Sequence, residues 1–126
     1  AQSIYEMQQI CRLLGGDPAS ATWLPGVGDL DVTTNGGRTG RFGAHLGRGI
    51  GRDKAIAAMQ GATLECLHVL EVMRSAIASW ERAGVLQEDE LPLLRHMAAV
   101  ALDDAPVSVP FRAFFGRSSR PELPSP

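Results

Sequence analysis

The sequence predicts an all-α fold, and three observations carry that prediction. Apolar residues recur at spacings of three and four along most of the 126-residue chain, the period of one helix face. The stretches between are glycines, prolines and acidic caps of the kind that stop and start helices. No stretch alternates apolar and polar residues toward a hairpin partner, and none reads as a strand–helix–strand unit.

The first helix is expected over residues 1–14. Ile4, Met7, Cys11 and Leu14 follow at spacings of three, four and three, with Gln2, Glu6, Gln9 and Arg12 on the other face, and Gly15-Gly16 ends it. Asp17-Pro18 starts a short helical element, with aspartate as N-cap and proline at the first helical position, and Pro25-Gly26 interrupts it just past Trp23 and Leu24. Gly28-Asp29 reads as the cap of a short helix over 29–34, although Val32-Thr33-Thr34 is β-branched, and Asn35-Gly36-Gly37 breaks the chain. A further short helix over 41–46 is closed by Gly47, Gly49 and Gly51.

Asp53 is expected to cap a stretch whose apolar face is Ile56, Ala57 and Met59. The longest helix covers 63–83, with Cys66, Leu70, Met73, Ile77 and Trp80 as one stripe, Val69, Val72 and Ala76 widening it, and Gly84 at the C′ position. The acidic run Glu88-Asp89-Glu90 precedes Leu91-Pro92, where negative charge favours a helix start through the macrodipole. Leu94, Met97, Ala98 and Ala101 line the buried side of that helix until Asp103-Asp104 and Pro106 stop it. Phe111, Phe114 and Phe115 make a last apolar turn, and the Ser/Pro-rich residues 116–126 are expected to be a disordered tail.

A chain of this length makes one domain with a core of its own. With 12 basic against 14 acidic residues it lacks the basic balance of a nucleic-acid binder, and no apolar run is long enough for a membrane-spanning helix. Cys11 and Cys66 both fall within apolar helical patterns, which reads as buried free thiols in a reducing, cytoplasmic compartment. No initiator methionine or signal-peptide pattern opens the chain, and Ala1 stands inside a helical repeat, so the expectation is a fragment of a longer protein.

Chemistry is concentrated in one place. Nine of the 14 glycines lie within 26–51, together with Arg38, Arg41 and Arg48 and with Arg52 just beyond. If Asp29 opens a helix, Thr33 lies one turn on along the same face. Arg38 follows a glycine pair whose bare backbone admits a ligand closely, and a guanidinium beside backbone N–H groups and hydroxyls suits a phosphate monoester. The plainer reading makes Asp29 an N-cap, Thr33 a helix filler and Arg38 a solvated loop cation. Elsewhere the signals are weak. Glu65 and His68, one turn apart, read as a surface pair rather than metal ligands; the Gly47–Gly51 run has no strand before it; Lys54, the one lysine, reads as a solvated helix residue.

Taken together, Gly26-Val27-Gly28-Asp29-Leu30, Thr33, Gly36-Gly37-Arg38, Arg41-Phe42-Gly43 and Leu46-Gly47-Arg48-Gly49 resemble the carboxy-terminal, helical, substrate-binding domain of NAD-dependent glycerol-3-phosphate dehydrogenases. The likeness continues through Ala55-Ile56 and Gly61-Ala62-Thr63-Leu64-Glu65, from about Met7 to Val100. Its most specific part is the glycine-aspartate-leucine motif with an arginine nine residues after the aspartate.

The resemblance implies a multi-helix domain over 1–115, like that of the 6-phosphogluconate and glycerol-3-phosphate dehydrogenases, acting with an amino-terminal Rossmann domain. It implies hydride transfer between NAD or NADP and glycerol 3-phosphate or dihydroxyacetone phosphate, and a possible homodimer. Asp29 resembles the aspartate that orients the catalytic lysine, Thr33 the threonine beside it, and Arg38 the arginine that neutralises substrate phosphate and approaches the dinucleotide. Glu65 falls where the family places a Glu or Gln near the cofactor. Thr39 departs from the usual asparagine; its hydroxyl donates to phosphate with fewer hydrogens than an amide. The family's lysine precedes this domain, so the chain alone is expected to be inactive. The alternative is a stand-alone helical interaction or dimerisation module without catalysis.

Overall fold

The computed structural model describes residues 1–115, and the expected tail at 116–126 lies outside the described residues. The described residues form seven α-helices and no strand, so the all-α reading holds. They are α1 (Gln2–Leu13), α2 (Asp29–Thr34), α3 (Arg38–Gly47), α4 (Arg52–Ala58), α5 (Glu65–Arg82), α6 (Pro92–Asp103) and α7 (Phe111–Phe115), with a 3-10 turn (Pro18–Thr22) and a π turn (Leu24–Gly28) between α1 and α2.

Two apolar clusters share the interior. One joins Phe42 and Leu46 of α3, Ala55 and Met59 at α4, and Val100 and Ala101 of α6, with Leu64, Cys66 and Leu67 from the start of α5 packed on it. The other joins Ile77 of α5, Leu86, Leu91 and Leu94 of α6, with Ile10 and Leu13 of α1 alongside. Leu70 of α5 touches both clusters, so α5 and α6 form the spine on which the rest is built.

The carboxy-terminal end of α5 follows the sequence reading. Gly84 N–H donates to the Glu81 carbonyl at 2.9 Å and Val85 N–H to the Trp80 carbonyl at 3.0 Å, a Schellman closure. The outward margin of α5 does not: Val69 and Val72, expected to widen the buried stripe, are exposed, as is Met97 of α6. Each of these side chains lies on a face of its helix that no other described element covers. Cys11 and Cys66 are free and half-buried.

The helix starts are held from farther away than local patterning predicts. Glu6, expected on the solvent face of α1, is buried, and its two carboxylate oxygens accept from the amides of Leu93 and Leu94 at 2.8 Å each. α6 starts directly after the acidic run, as expected, but its Leu93 and Leu94 amides are taken by Glu6. Glu90 instead accepts from the Gln87 amide at 2.7 Å and closes its own loop. Likewise the Arg52 amide at the start of α4 donates to Asp104 Oδ1 at 2.6 Å, while Asp53, expected to cap, is exposed. A carboxylate brought in by the tertiary fold satisfies these orphan amides as a local cap would.

Candidate functional site

The glycine-rich segment keeps its helical form through the expected break at Pro25-Gly26. Proline sits in the first turn of the π turn, where its missing N–H is no loss. A Cβ on Gly26 would run into the Ala21 carbonyl, so only glycine lets this turn lie against the preceding 3-10 turn. The Gly28 amide donates to the Trp23 carbonyl at 3.3 Å, and α2 continues directly from there. Single π turns of this kind are rare and gather at functional sites.

Asp29 is the first residue of α2 and Thr33 lies one turn later, as expected. Asp29 is not an N-cap: its side chain makes no cap hydrogen bond, since Gly28 before it is already helical. Among the described residues its carboxylate has no partner. Asp31, two residues on, behaves differently and accepts from Asn35 Nδ2 at 3.2 Å, serving the end of the helix.

Arg38 and Thr39 differ from the sequence reading, which began the next helix at Arg41. Both lie in the first turn of α3, with Gly37 as N-cap in an extended conformation. Gly36 turns the chain at φ 136°, and a Cβ on Gly37 would stand 2.7 Å from the Thr33 carbonyl oxygen. The Gly37 amide donates to that same oxygen at 3.2 Å. The two glycines thus press the start of α3 onto the end of α2, which brings Asp29, Thr33, Arg38 and Thr39 onto one helix pair. No side chain caps α3, so its first-turn amides lack intrahelical partners and present the positive end of the helix beside an exposed guanidinium. Such a donor set fits a phosphate and, with it, one phosphate of a dinucleotide; no Gly-rich strand-to-helix turn for the rest of such a cofactor is among the described residues.

Glu65 opens α5 and is exposed, with no hydrogen bond to the other four. Its link to them is indirect, through the cluster that holds both Leu64 and Phe42. Lys54 is exposed on α4, as read from the sequence. Glu65 and His68 are both exposed, and no group of metal-ligating residues occurs among the described residues. Asp29, Arg38, Thr39 and Glu65 are exposed and Thr33 is half-buried, and none of them lines the five principal cavities among the described residues.

One residue escapes sequence reasoning. Among the described residues, three non-glycine residues have left-handed backbones: Gln60, Leu91 and Asp104. Leu91 is fully buried and Asp104 holds the Arg52 amide, so packing and capping account for both. Gln60 (φ 52°), in the turn between α4 and α5, is exposed and its side chain has no partner among the described residues. It stands at the C′ position after α4, where the Met59 and Gln60 amides donate back to the Ile56 and Ala57 carbonyls and a left-handed residue is an ordinary helix stop.

Comparison with known proteins identifies the family. The profile of the family described as NAD-dependent glycerol-3-phosphate dehydrogenase C-terminus matches residues 1–111. A glycerol-3-phosphate dehydrogenase [NAD(P)+] of Edwardsiella ictaluri is 32% identical over 123 residues, covering 96% of this chain and 34% of the relative. That of Xanthomonas euvesicatoria pv. vesicatoria is 31% identical over 126 residues, covering 98% and 34%. An NADP(+)-dependent glycerol-3-phosphate dehydrogenase of Archaeoglobus fulgidus is 41% identical over 59 residues, 47% of this chain and 18% of the relative. This chain thus spans about a third of the length of the relatives it matches end to end. No solved structure matches it significantly. The chain belongs to the family of carboxy-terminal domains of NAD-dependent glycerol-3-phosphate dehydrogenases.

Proposed function

We propose that this chain is the substrate-holding half of an NAD(P)-dependent glycerol-3-phosphate dehydrogenase, with the α2–α3 junction as its phosphate clamp. Arg38 pairs two phosphate oxygens, while the Thr39 hydroxyl and the free amides opening α3 donate to the remainder. Asp29, whose carboxylate is not spent on a cap, orients a lysine supplied by the amino-terminal part of the enzyme, with Thr33 beside it. Glu65, at the start of α5, lies toward the cofactor. The dinucleotide, when bound, gives or takes the hydride. This chain contributes only binding and orientation, so alone it does not turn over dihydroxyacetone phosphate with NADH.

The single observation carrying this reading is that Asp29 and Arg38, on two helices joined at a glycine-enforced junction, have no side-chain partner among the described residues. Titrating glycerol 3-phosphate into the ¹⁵N-labelled chain tests it. Amide shifts centred on residues 38–40 that disappear in Arg38→Ala are expected. Absence of any such shift at millimolar ligand removes the phosphate clamp and leaves the stand-alone interaction module, which has no use for Arg38.

A further inference from the structure

We propose that Arg41 and Arg48 form an electrostatic guide that draws a doubly charged phosphate ester to the α2–α3 site without touching it there. Such a guide presupposes the Arg38 clamp proposed above, and it explains how a dianion reaches a chain whose own formal charge is −2.

The distribution of charge sets the problem. Residues 32–52 hold Arg38, Arg41, Arg48 and Arg52 and no acidic residue, while the rest of the chain holds 8 basic and 14 acidic residues, a formal charge of −6. Most of the chain therefore repels a phosphate dianion. The clamp by itself offers no net attraction either, because Asp29 and Asp31 on α2 outnumber Arg38. The free amides opening α3 add only about half a positive charge. Counting Arg41 and Arg48 reverses the sign, and no other charged residue stands on these two helices.

The placement of the two arginines suits a guide. Arg38, Arg41, His45 and Arg48 follow at spacings of three, four and three, so they lie along one face of α3. Arg48 is the C-cap residue and keeps a near-helical backbone, φ −88° and ψ 6°, so the row runs through it. Arg38, Arg41 and Arg48 are all exposed, and none meets a carboxylate among the described residues. Arg74 and Arg95 differ, being taken up by Asp103 and Glu81. Arg52 stands outside the row, half-buried and with its amide on Asp104, whose carboxylate offsets its charge.

Distance decides how the row can act. Ten residues of helix put Arg48 about 15 Å along the axis from Arg38, beyond the span of a three-carbon ester clamped at the other end. Its pull on that ester acts through space and is therefore set by screening. The Debye length is about 17 Å at 0.03 M ionic strength and about 6 Å at 0.3 M, so the pull is felt in the first condition and lost in the second. Lining one approach to a site with one sign of charge raises the local concentration of an oppositely charged ligand in this salt-dependent way. A cation at the end of α3 also has a plainer use, stabilising the helix through its dipole. That use predicts a change in stability and none in ligand affinity.

The test titrates glycerol 3-phosphate into the ¹⁵N-labelled chain at pH 8, where a phosphate monoester carries two charges, at ionic strengths of about 0.03 M and 0.3 M. Arg41→Gln with Arg48→Gln removes both charges and keeps helix propensity. This pair should weaken binding at residues 38–40 about fivefold at the lower ionic strength and at most about twofold at the higher. Arg48→Gln alone should show the same salt dependence with a smaller loss, about 1.5-fold at the lower ionic strength. Lysine at both positions should restore the parent's affinity, because a guide needs the charge and not the guanidinium fork. Arg82→Gln, at the opposite end of α5 from the cluster that packs on α3, should match the parent throughout.

Equal affinity of the parent and the double glutamine variant at the lower ionic strength overturns the guide, leaving the two arginines at most their effect on the helix. A loss of the same size at both ionic strengths, or one that lysine does not repair, makes them contacts of the clamp and also overturns it. A loss reproduced by Arg82→Gln assigns the effect to overall charge, with the same consequence. A parent chain without any response at residues 38–40 fails the clamp first and the guide with it, so the two failures are read separately.

Discussion

The spine of α1, α5 and α6 and the glycine-rich pair α2–α3 treat their charged groups in opposite ways. In the spine, the Glu6 carboxylate spans to two amides of α6, and Arg95 bonds Glu81 at 2.7 Å and the Glu90 carbonyl at 2.7 Å. Arg74 meets both carboxylate oxygens of Asp103 at 2.9 Å. In α2–α3, Asp29, Arg38, Arg41 and Arg48 have no side-chain partner among the described residues, and glycines rather than side chains set the geometry. The carboxylates and guanidinium groups just named in the first region are part of the fold, whereas Asp29, Arg38, Arg41 and Arg48 take no part in it.

The largest expected effect lies in the spine. Glu6→Ala removes the acceptor of two amides and leaves them in a place shielded from water, for which each buried orphan costs about 1–3 kcal/mol. The loss should be about 3 kcal/mol in urea unfolding, and Glu6→Gln, which restores only one acceptor oxygen, should fall between. A loss under about 0.5 kcal/mol, the range of ordinary surface changes, would mean that α6 does not depend on α1 for its start.

Glu6 also marks the limit of what the sequence discloses. The helical class, the breaks at Gly15-Gly16 and Gly84, and the stripe from Cys66 to Trp80 are local patterns, and they are legible. Glu6 sits at a polar position in the α1 repeat and its partners lie 87 and 88 residues away, so no window of sequence contains the interaction. Asp104, which takes the place expected of Asp53, is hidden for the same reason. The site was legible in a different manner. Asp29 and Arg38 stood out through the resemblance, but the start of α3 was read three residues late, because two glycines look like a loop whether or not the second is an N-cap. Exposure of Trp23, Leu24 and Val32 was hidden altogether, since a helical repeat marks an apolar residue as core whether or not anything in the domain covers it.

Gly37→Ala acts on the joint between the regions. Its Cβ would meet the Thr33 carbonyl oxygen, a backbone atom that cannot swing aside. Overpacking of this sort costs about 1–3 kcal/mol, and the relief available is for α3 to move away from α2. Thermal unfolding should report a moderate loss, and the glycerol 3-phosphate response at residues 38–40 should weaken although Arg38 is intact. Unchanged ligand response would show that the clamp does not need the two helices in register.

Gln60→Gly should go the other way. Releasing a left-handed backbone to glycine gains about 1 kcal/mol, since no packing or hydrogen bond of the glutamine is lost. A rise of a few degrees in the melting temperature is the expected result. Destabilisation would instead give Gln60 a structural role that its exposure denies.

The smallest expected change in stability is the one that most sharply separates the two regions. Arg38→Ala removes a guanidinium that touches nothing within the domain, at an exposed helix position where alanine has slightly better helix propensity. Its unfolding free energy should stay within about 0.5 kcal/mol of the parent. Removing a lone cation from the positive end of α3 also relieves a small repulsion, which pushes the sign toward stabilisation. The same variant should abolish the phosphate response. Calorimetry and the ¹⁵N titration on one sample therefore decide the matter. Lost binding with retained stability is what a residue held out for a ligand gives, whereas a stability loss comparable to that of Glu6→Ala would make Arg38 another member of the spine's charge network.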